Sequence, residues 1–498
     1  MSVPRLSIPR QAGLPSTPIK YIKQQARRFR ALLLALAVLT GLNLGVTALE
    51  PFFFSLVYGN DNAVPAKISF FQQKSNIDIL FMGTSRPLSG FNPTLVEEEL
   101  SNSLGLKLNS FNLGIAGAGF DLNYAILKNY IPEDKKPRFI VYGITERELL
   151  DKNSPYRSST LPYYSVFQRP DDFELFAGDS FENKANFVAS QVFPLYRDQK
   201  LILNGLNLLF NPDNPALSNN KPLLQPDYQA SGFYPIENLP ETKASRIEHA
   251  RTEYETFLPT ASVEAVETVF LEKFVNLAKA RGIQVILVNM PVTNQHKSWW
   301  HNEANVQKYC DVVQEFARAH KLPLLNLYCK HEAVYTEALF DDTHHLNLAG
   351  AKVLSQQIAR EYFVPLFKAQ IKPETLYKAS FSDVRLPARL SKNLVTWGSV
   401  TIQNTSGNIW PGGLTSGVRL AYHWLDASGK MVTHEGIRSL FNSSIFPGQK
   451  QQVRFQLMTP LVPGNYILEL DLLNENVAWF GVKGNPTLRK NITITAGG

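Results

Sequence analysis

The sequence predicts an α/β fold. A doubly wound, parallel, five-stranded sheet is entered through one N-terminal transmembrane helix and followed by an all-β sandwich. Three observations predict it. A charge-free apolar run at residues 31–49 follows a basic arm. Short apolar strand patterns alternate with amphipathic helix patterns from about residue 75 to 365. Beyond residue 392 every periodic segment reads as a strand.

The chain is 498 residues long, too long for one ordinary core, and its 44% hydrophobic and 19% charged residues are those of a globular protein. Its basicity is local. Residues 1–30 hold seven Lys and Arg and no acid, which leaves the remainder formally neutral. A short basic arm is no phosphate-tracking face, so nucleic acid is excluded as a partner.

The 19 residues of the apolar run can cross a hydrocarbon core of about 30 Å. Phe52, Phe53, Phe54 and Tyr58 follow it as an aromatic belt would. With basic residues on the N-terminal side alone, the positive-inside rule keeps the N-terminus in the cytoplasm. Everything after residue 50 is then outside, giving a single-pass protein of the cytoplasmic membrane with a periplasmic or extracytoplasmic body. A cleaved leader competes with this reading, since residues 46–48 (Val-Thr-Ala) loosely fit a small-residue cleavage site. A 30-residue basic region and a 19-residue apolar run are long for one.

Strands are expected at 77–82, 108–113, 138–142, 283–289 and 324–328. Helices are expected at 92–104, 121–130, 263–281, 305–320 and 348–363. The α/β domain therefore spans 70–368. Within it, residues 151–262 break the alternation and read as an insertion folded over the active-site edge. The apolar stretch 187–210 of that insertion reads as a helix packed on the core or lying near the membrane surface. Residues 369–392 read as a polar linker and 393–498 as a β-sandwich. The two cysteines, Cys310 and Cys329, allow either a disulfide or two buried thiols.

A serine becomes a nucleophile when a histidine takes its proton and a carboxylate orients that histidine. Ser85, in Gly83-Thr84-Ser85-Arg86, sits just past the first strand, where ligands of such sheets bind. Asp342 and His345 lie three residues apart in one loop before the last helix, and this spacing can aim both at one point. Taken alone, the serine reads as a helix cap and the Asp-His loop as a capping or metal-binding loop.

In combination these residues resemble the SGNH (GDSL-like) hydrolase superfamily. Ser85, Gly114 in Phe111-Asn112-Leu113-Gly114, and Asp342-x-x-His345 follow the family's order. The resemblance implies Ser85 as nucleophile, His345 as general base and Asp342 as its orienter. The amides of Ser85 and Gly114 would form part of the oxyanion hole. Asn347, two residues beyond His345, continues the family's pattern on the substrate side. The family's Gly-x-Asn-Asp block reads Gly143-Ile144-Thr145-Glu146 here, which leaves Thr145 as the third oxyanion donor.

Arg86 reads as a clamp for a substrate carboxylate or as an ion-pair partner of Glu146 or Glu148. Trp299, Trp300 and His296 read as glycan contacts or as packing against the insertion. Of the four tryptophans in the C-terminal module, Trp410 is the one expected at the surface. The module resembles immunoglobulin-like or carbohydrate-binding sandwiches.

The layout resembles membrane-anchored proteins of cell-envelope polysaccharide O-acetylation. It implies a polysaccharide acceptor, an acyl donor, a membrane acyl-transfer partner, and no cofactor or metal. An acetyl-esterase with the same triad and a non-catalytic glycan-binding or assembly partner are the alternatives.

Overall fold

The computed structural model describes residues 18–57, 64–74, 76–149, 173, 181–211, 226–237, 239–255, 258–259, 263, 268–330, 334–412 and 417–496. Two compact units result: residues 1–57 with 169–218, and residues 58–168 with 219–498.

The first unit is built on α1 (Pro18–Val57), whose window Arg27–Leu49 is long and apolar enough to cross a membrane.

The α/β body of the second unit begins with α2 (Val64–Gln73), β1 (Ile79–Gly83) and α3 (Ser85–Gly90). It continues through α4 (Pro93–Leu104), β2 (Ser110–Asn112), α5 (Phe120–Asn129) and β3 (Phe139–Ile144). The chain then leaves for α6 (Phe181–Val192), α7 (Pro194–Arg197) and α8 (Gln199–Phe210), which belong with α1. The stretch 187–210, read as one helix, is therefore helical in three pieces. Its exposed leucines and phenylalanines gave it helix periodicity without saying which surface it would cover.

The body resumes with α9 (Pro226–Ser231), α10 (Pro240–Tyr254), α11 (Val269–Ala280) and β4 (Gln284–Asn289). Then come α12 (Asn294–Ser298), α13 (Glu303–Ala319), β5 (Leu324–Asn326), α14 (Leu348–Ile358) and α15 (Val364–Lys368).

The five strands pair in parallel in the order β2-β1-β3-β4-β5. Starting in the middle and winding both ways leaves a crevice at the carboxyl ends of β1 and β3. β1 and β3 are buried along their whole length because helices cover both sheet faces. Gly83 pairs with Gly143 across these two strand ends. A Cβ on Gly83 (φ 128°) would lie 2.6 Å from the Gly143 carbonyl oxygen, and one on Gly143 would lie 2.3 Å from the Pro87 ring. Only glycines let α3 start so close to the sheet. Cys310 and Cys329 form a disulfide from α13 to the loop after β5.

Beyond α15 the described residues form strands, with 3-10 turns at Pro373–Thr375 and Gly481–Lys483. β6 (Ala379–Arg385), β8 (Val395–Asn404) and β11 (Lys450–Met458) form one sheet. The other has the order β10-β9-β12-β14-β7, with β13 on β12. It comprises β7 (Arg389–Ser391), β9 (Val418–Asp426), β10 (Met431–Thr433), β12 (Gly464–Asn474), β13 (Ala478–Trp479) and β14 (Leu488–Thr495). The sheets enclose one core that includes Val400, Phe455, Leu420, Trp424 and Leu470.

Two expectations need correction here. The stretch read as a linker supplies β6 and β7, and β6 is an edge strand with mostly exposed side chains and so no apolar alternation. Trp410 is fully buried, its indole N–H donating to the Leu376 carbonyl at 2.9 Å, whereas Trp397 is 54% exposed. The Pro-Gly turn after Trp410 suggested a surface position, but the ring turns inward against Phe441 and Phe480.

Candidate active site

Ser85 opens α3 immediately after the Gly83 turn and is half-buried. As a first-turn residue, its amide has no acceptor within the helix. Asn112, the last residue of β2, fixes α3 in place. Its side-chain amide donates to the carbonyls of Pro87, Leu88 and Phe91 at 2.7–3.2 Å.

Asp342 and His345 sit on a tight hairpin. Phe340 bridges to Leu346, and the Asp341 amide donates to the His345 carbonyl at 2.9 Å. Helix α10 clamps this hairpin from the insertion side. Lys243 donates to the carbonyls of Glu337 and Phe340, and Arg246 pairs with Asp341 at 2.5 Å.

The structure brings Ser85, His345 and Asp342 together. His345 Nε2 lies 2.8 Å from Ser85 Oγ, and His345 Nδ1 lies 2.7 Å from Asp342 Oδ2. Asp342 Oδ1 accepts the amides of His344 and His345, each at 2.7 Å. Burial opposes the Asp342 charge, but the two imidazoles and these hydrogen bonds hold its carboxyl well below the usual range. An ionised Asp342 requires the Nδ1–H tautomer of His345, which turns the Nε2 lone pair toward the serine hydroxyl.

The other expected donors are engaged elsewhere. The Gly114 amide donates to Asn112 Oδ1 at 2.8 Å. The Thr145 hydroxyl donates to Glu148 Oε2 at 3.1 Å, and the Thr145 amide to the same oxygen at 3.0 Å. Asn347 caps α14, accepting from the Gly350 amide and donating to the Ala338 carbonyl. Each of these three is a correction with one cause: a short polar side chain at a strand or helix end is satisfied by the nearest backbone or carboxylate.

Arg86 is a buried ion-pair partner. Its guanidinium grips both oxygens of Glu146, with residue exposures of 2% and 0%. Burial opposes the guanidinium charge, but Glu146 pushes its pKa up; Arg86 and His296 hold Glu146 well below the carboxylate range. His296 Nε2 meets Glu146 at 2.9 Å and His296 Nδ1 meets Thr343 Oγ1 at 3.2 Å. Thr343 Oγ1 lies 3.3 Å from His344 Nδ1. A continuous polar chain therefore runs from the residue after the nucleophile to the loop that carries the base. Burial pushes His296 down and His344 well down. Tyr254 of α10 packs on both rings and accepts from Arg147 at 3.1 Å.

His296, Trp299 and Trp300 are all buried, which removes them as glycan contacts. Trp300 donates to the Tyr328 hydroxyl at 2.9 Å. Sequence reasoning missed the Thr343–His344 link and Asn112. The only signal for either lay in motifs already quoted, Asn112 two residues before Gly114 and His344 beside His345.

Asp342, His344 and His345 also offer metal-ligand atoms within 4.8 Å of one another. Both Asp342 oxygens are engaged and His345 Nε2 faces the serine, so the donor set fits a triad better than a cation.

A family model described as "Protein of unknown function (DUF1574)" matches residues 67–362, more than half of the chain. The chain belongs to the DUF1574 family. The matched DUF1574 span takes in Ser85, Arg86, Glu146, His296, Asp342 and His345. No curated protein matches the sequence.

Among solved structures, a lipase/acylhydrolase from Enterococcus faecalis is similar at 14% identity and a TM-score of 0.29, covering 60% of this chain and 98% of that one. A GDSL-like lipase from Bacteroides thetaiotaomicron is similar at 10% identity and 0.26, covering 61% and 99%. A CARDB domain from Pyrococcus furiosus is similar at 13% identity and 0.16, covering 24% and 94%.

Proposed function

We propose that this protein is a serine acyl-transfer enzyme of the SGNH type. The single observation that carries the reading is the Ser85–His345–Asp342 chain of hydrogen bonds at 2.8 and 2.7 Å, at the carboxyl end of β1. His345 takes the Ser85 proton as Oγ attacks the acyl carbonyl. Asp342 stabilises the resulting imidazolium, which then protonates the leaving group. The acyl-Ser85 intermediate is resolved by an acceptor hydroxyl that His345 deprotonates in turn. The Ser85 amide faces the developing oxyanion.

The acceptor we propose is a cell-envelope or exported polysaccharide, O-acetylated outside the cytoplasm by a body anchored through residues 31–49. The basic residues ahead of the apolar run support that orientation. A membrane acyl-transfer partner would deliver the acyl donor.

Two observations favour other readings. Ser85 and His345 are only half-buried, which gives water a path to the intermediate and favours an acetyl-esterase. The engagement of the Gly114 amide and the Thr145 hydroxyl favours a non-catalytic glycan-binding partner.

The test is hydrolysis of p-nitrophenyl acetate by the detergent-solubilised chain and by Ser85→Ala, repeated with oligosaccharide acceptors and mass readout. Turnover lost in Ser85→Ala supports the nucleophile, and an acetylated acceptor supports transfer over hydrolysis. Equal background rates from two well-folded proteins, with ester and acceptors alike, would sink the enzymatic reading.

A further inference from the structure

Helices α6 to α8 carry an apolar surface that no water-facing hairpin needs. Phe181, Val188 and Val192 form one stripe on α6, at exposures of 87%, 49% and 58%. Leu203, Leu206 and Phe210 form another on α8, at 64%, 38% and 80%. Each helix has 12 residues and so a length of about 18 Å, well short of a hydrocarbon core of about 30 Å. Neither can cross a membrane.

The packing of α7 and α8 against α1 sets the depth of the group. Asn43 lies within the apolar window of α1, six positions before its end at Leu49 and so about 9 Å inside it. Its Oδ1 accepts the Leu195 amide of α7 at 3.1 Å, and its Nδ2 donates to the Leu39 carbonyl at 2.8 Å. An asparagine at that depth is satisfied internally, as a solvent without hydrogen bonds demands. The adjacent charges obey the same demand: Arg197 and Asp198 close on each other through two hydrogen bonds at 2.9 and 2.8 Å. From residue 41 to 49 of α1, the half-buried positions are Asn43 and Val46, and the others are exposed.

We propose that residues 181–210 form a helical hairpin seated in one leaflet of the bilayer beside α1, with the lipid acyl chains covering the stripes on α6 and α8. The occupant is lipid because the hairpin continues the surface of α1 that is itself suited to lipid, and because Asn43, Arg197 and Asp198 pair within the unit. The inference rests on reading α1 as membrane-spanning. It does not depend on the catalytic assignment.

The test uses the full chain reconstituted in phosphatidylethanolamine/phosphatidylglycerol vesicles. Single-cysteine variants Val188→Cys, Leu203→Cys and Phe210→Cys carry an environment-sensitive fluorophore. The native cysteines are bonded to each other and do not take the label. Leu36→Cys in α1 and Val477→Cys on the β module are the controls. Lipids brominated in their acyl chains are expected to quench the hairpin positions and Leu36→Cys at least about twofold more than Val477→Cys, with iodide doing the reverse. Iodide quenching of the hairpin labels at the level of Val477→Cys, with Leu36→Cys still quenched by lipid, overturns the hairpin and spares the anchor. A water-accessible Leu36→Cys overturns both. Shielding of the hairpin in native membranes but not in pure lipid identifies a protein as the occupant and also overturns the proposal.

Discussion

Replacing Glu146 with glutamine removes one charge and changes almost no volume. The carboxylate is 0% exposed, and it receives both guanidinium nitrogens of Arg86, itself 2% exposed, as well as His296 Nε2 at 2.9 Å. In Glu146→Gln one oxygen becomes an NH2 that faces donors, and the guanidinium is left buried without a counter-charge. Breaking such a pair from one side costs about 3–5 kcal/mol. At about 2 °C per kcal/mol for a domain of this size, the melting temperature should fall by about 6–10 °C. Added salt should not restore it, because the site is closed to ions. The double variant Arg86→Met/Glu146→Leu, lacking both charges, should recover at least half of the loss. The assay is thermal unfolding followed by circular dichroism at two salt concentrations. A Glu146→Gln melting point within about 1 °C of the parent would refute the buried-pair reasoning, as would a double variant no better than the single one.

Other outcomes follow from the same geometry. Asp342→Asn should keep the melting temperature within a few degrees yet lower ester turnover by about 10³–10⁴-fold, because an amide no longer selects the Nδ1–H tautomer of His345; an equal loss of fold and activity would contradict this. Burial pushes Asp78 up to about 7. A carboxyl raised above its unfolded value favours the fold at low pH, and that contribution fades as pH climbs from about 4 to about 7. Asp78→Asn should therefore be neutral at pH 4.5 and raise the melting temperature at pH 8 by about 2–5 °C, and a shift independent of pH would refute it. Opening the Cys310–Cys329 loop, separated by 19 residues, with the double Cys→Ser variant should cost about 3 kcal/mol in urea unfolding. No change in the midpoint would show that the bridge is incidental.

The sheet was legible because its strands obey one rule. β3 and β4 are buried on both faces, so Phe139 to Ile144 and Val285 to Val288 read as continuous apolar runs. The triad was legible because chain order and the three-residue step from Asp342 to His345 survive without geometry. The first turn of chemistry beyond it was not. Thr145 looks like a donor until Glu148 is seen beneath it, whereas the Arg86–Glu146 pair was one of the readings of Arg86, with the choice between Glu146 and Glu148 left to the fold. α3 has six residues and a proline, too few for a helical period, so the helix that carries Ser85 left no pattern. Trp299, Trp300 and Trp410 show the same limit from the other side: a residue's type and its flanking turn do not fix the direction in which its ring points.

The seam between the β module and the α/β body has its own consequence. Ser444 and Lys107 exchange hydrogen bonds, the Ile409 amide meets the Gln370 carbonyl at 2.9 Å, and Arg138 stacks 4.1 Å over Phe446. Ile409 and Phe446 share one apolar cluster with Phe139, Phe363 and Phe367. The C-terminal quarter of the chain thus closes the far side of the body that holds Ser85. It behaves as masonry and not as a pendant: a chain cut at residue 392 would lose part of its own wall, and both halves should melt in a single transition.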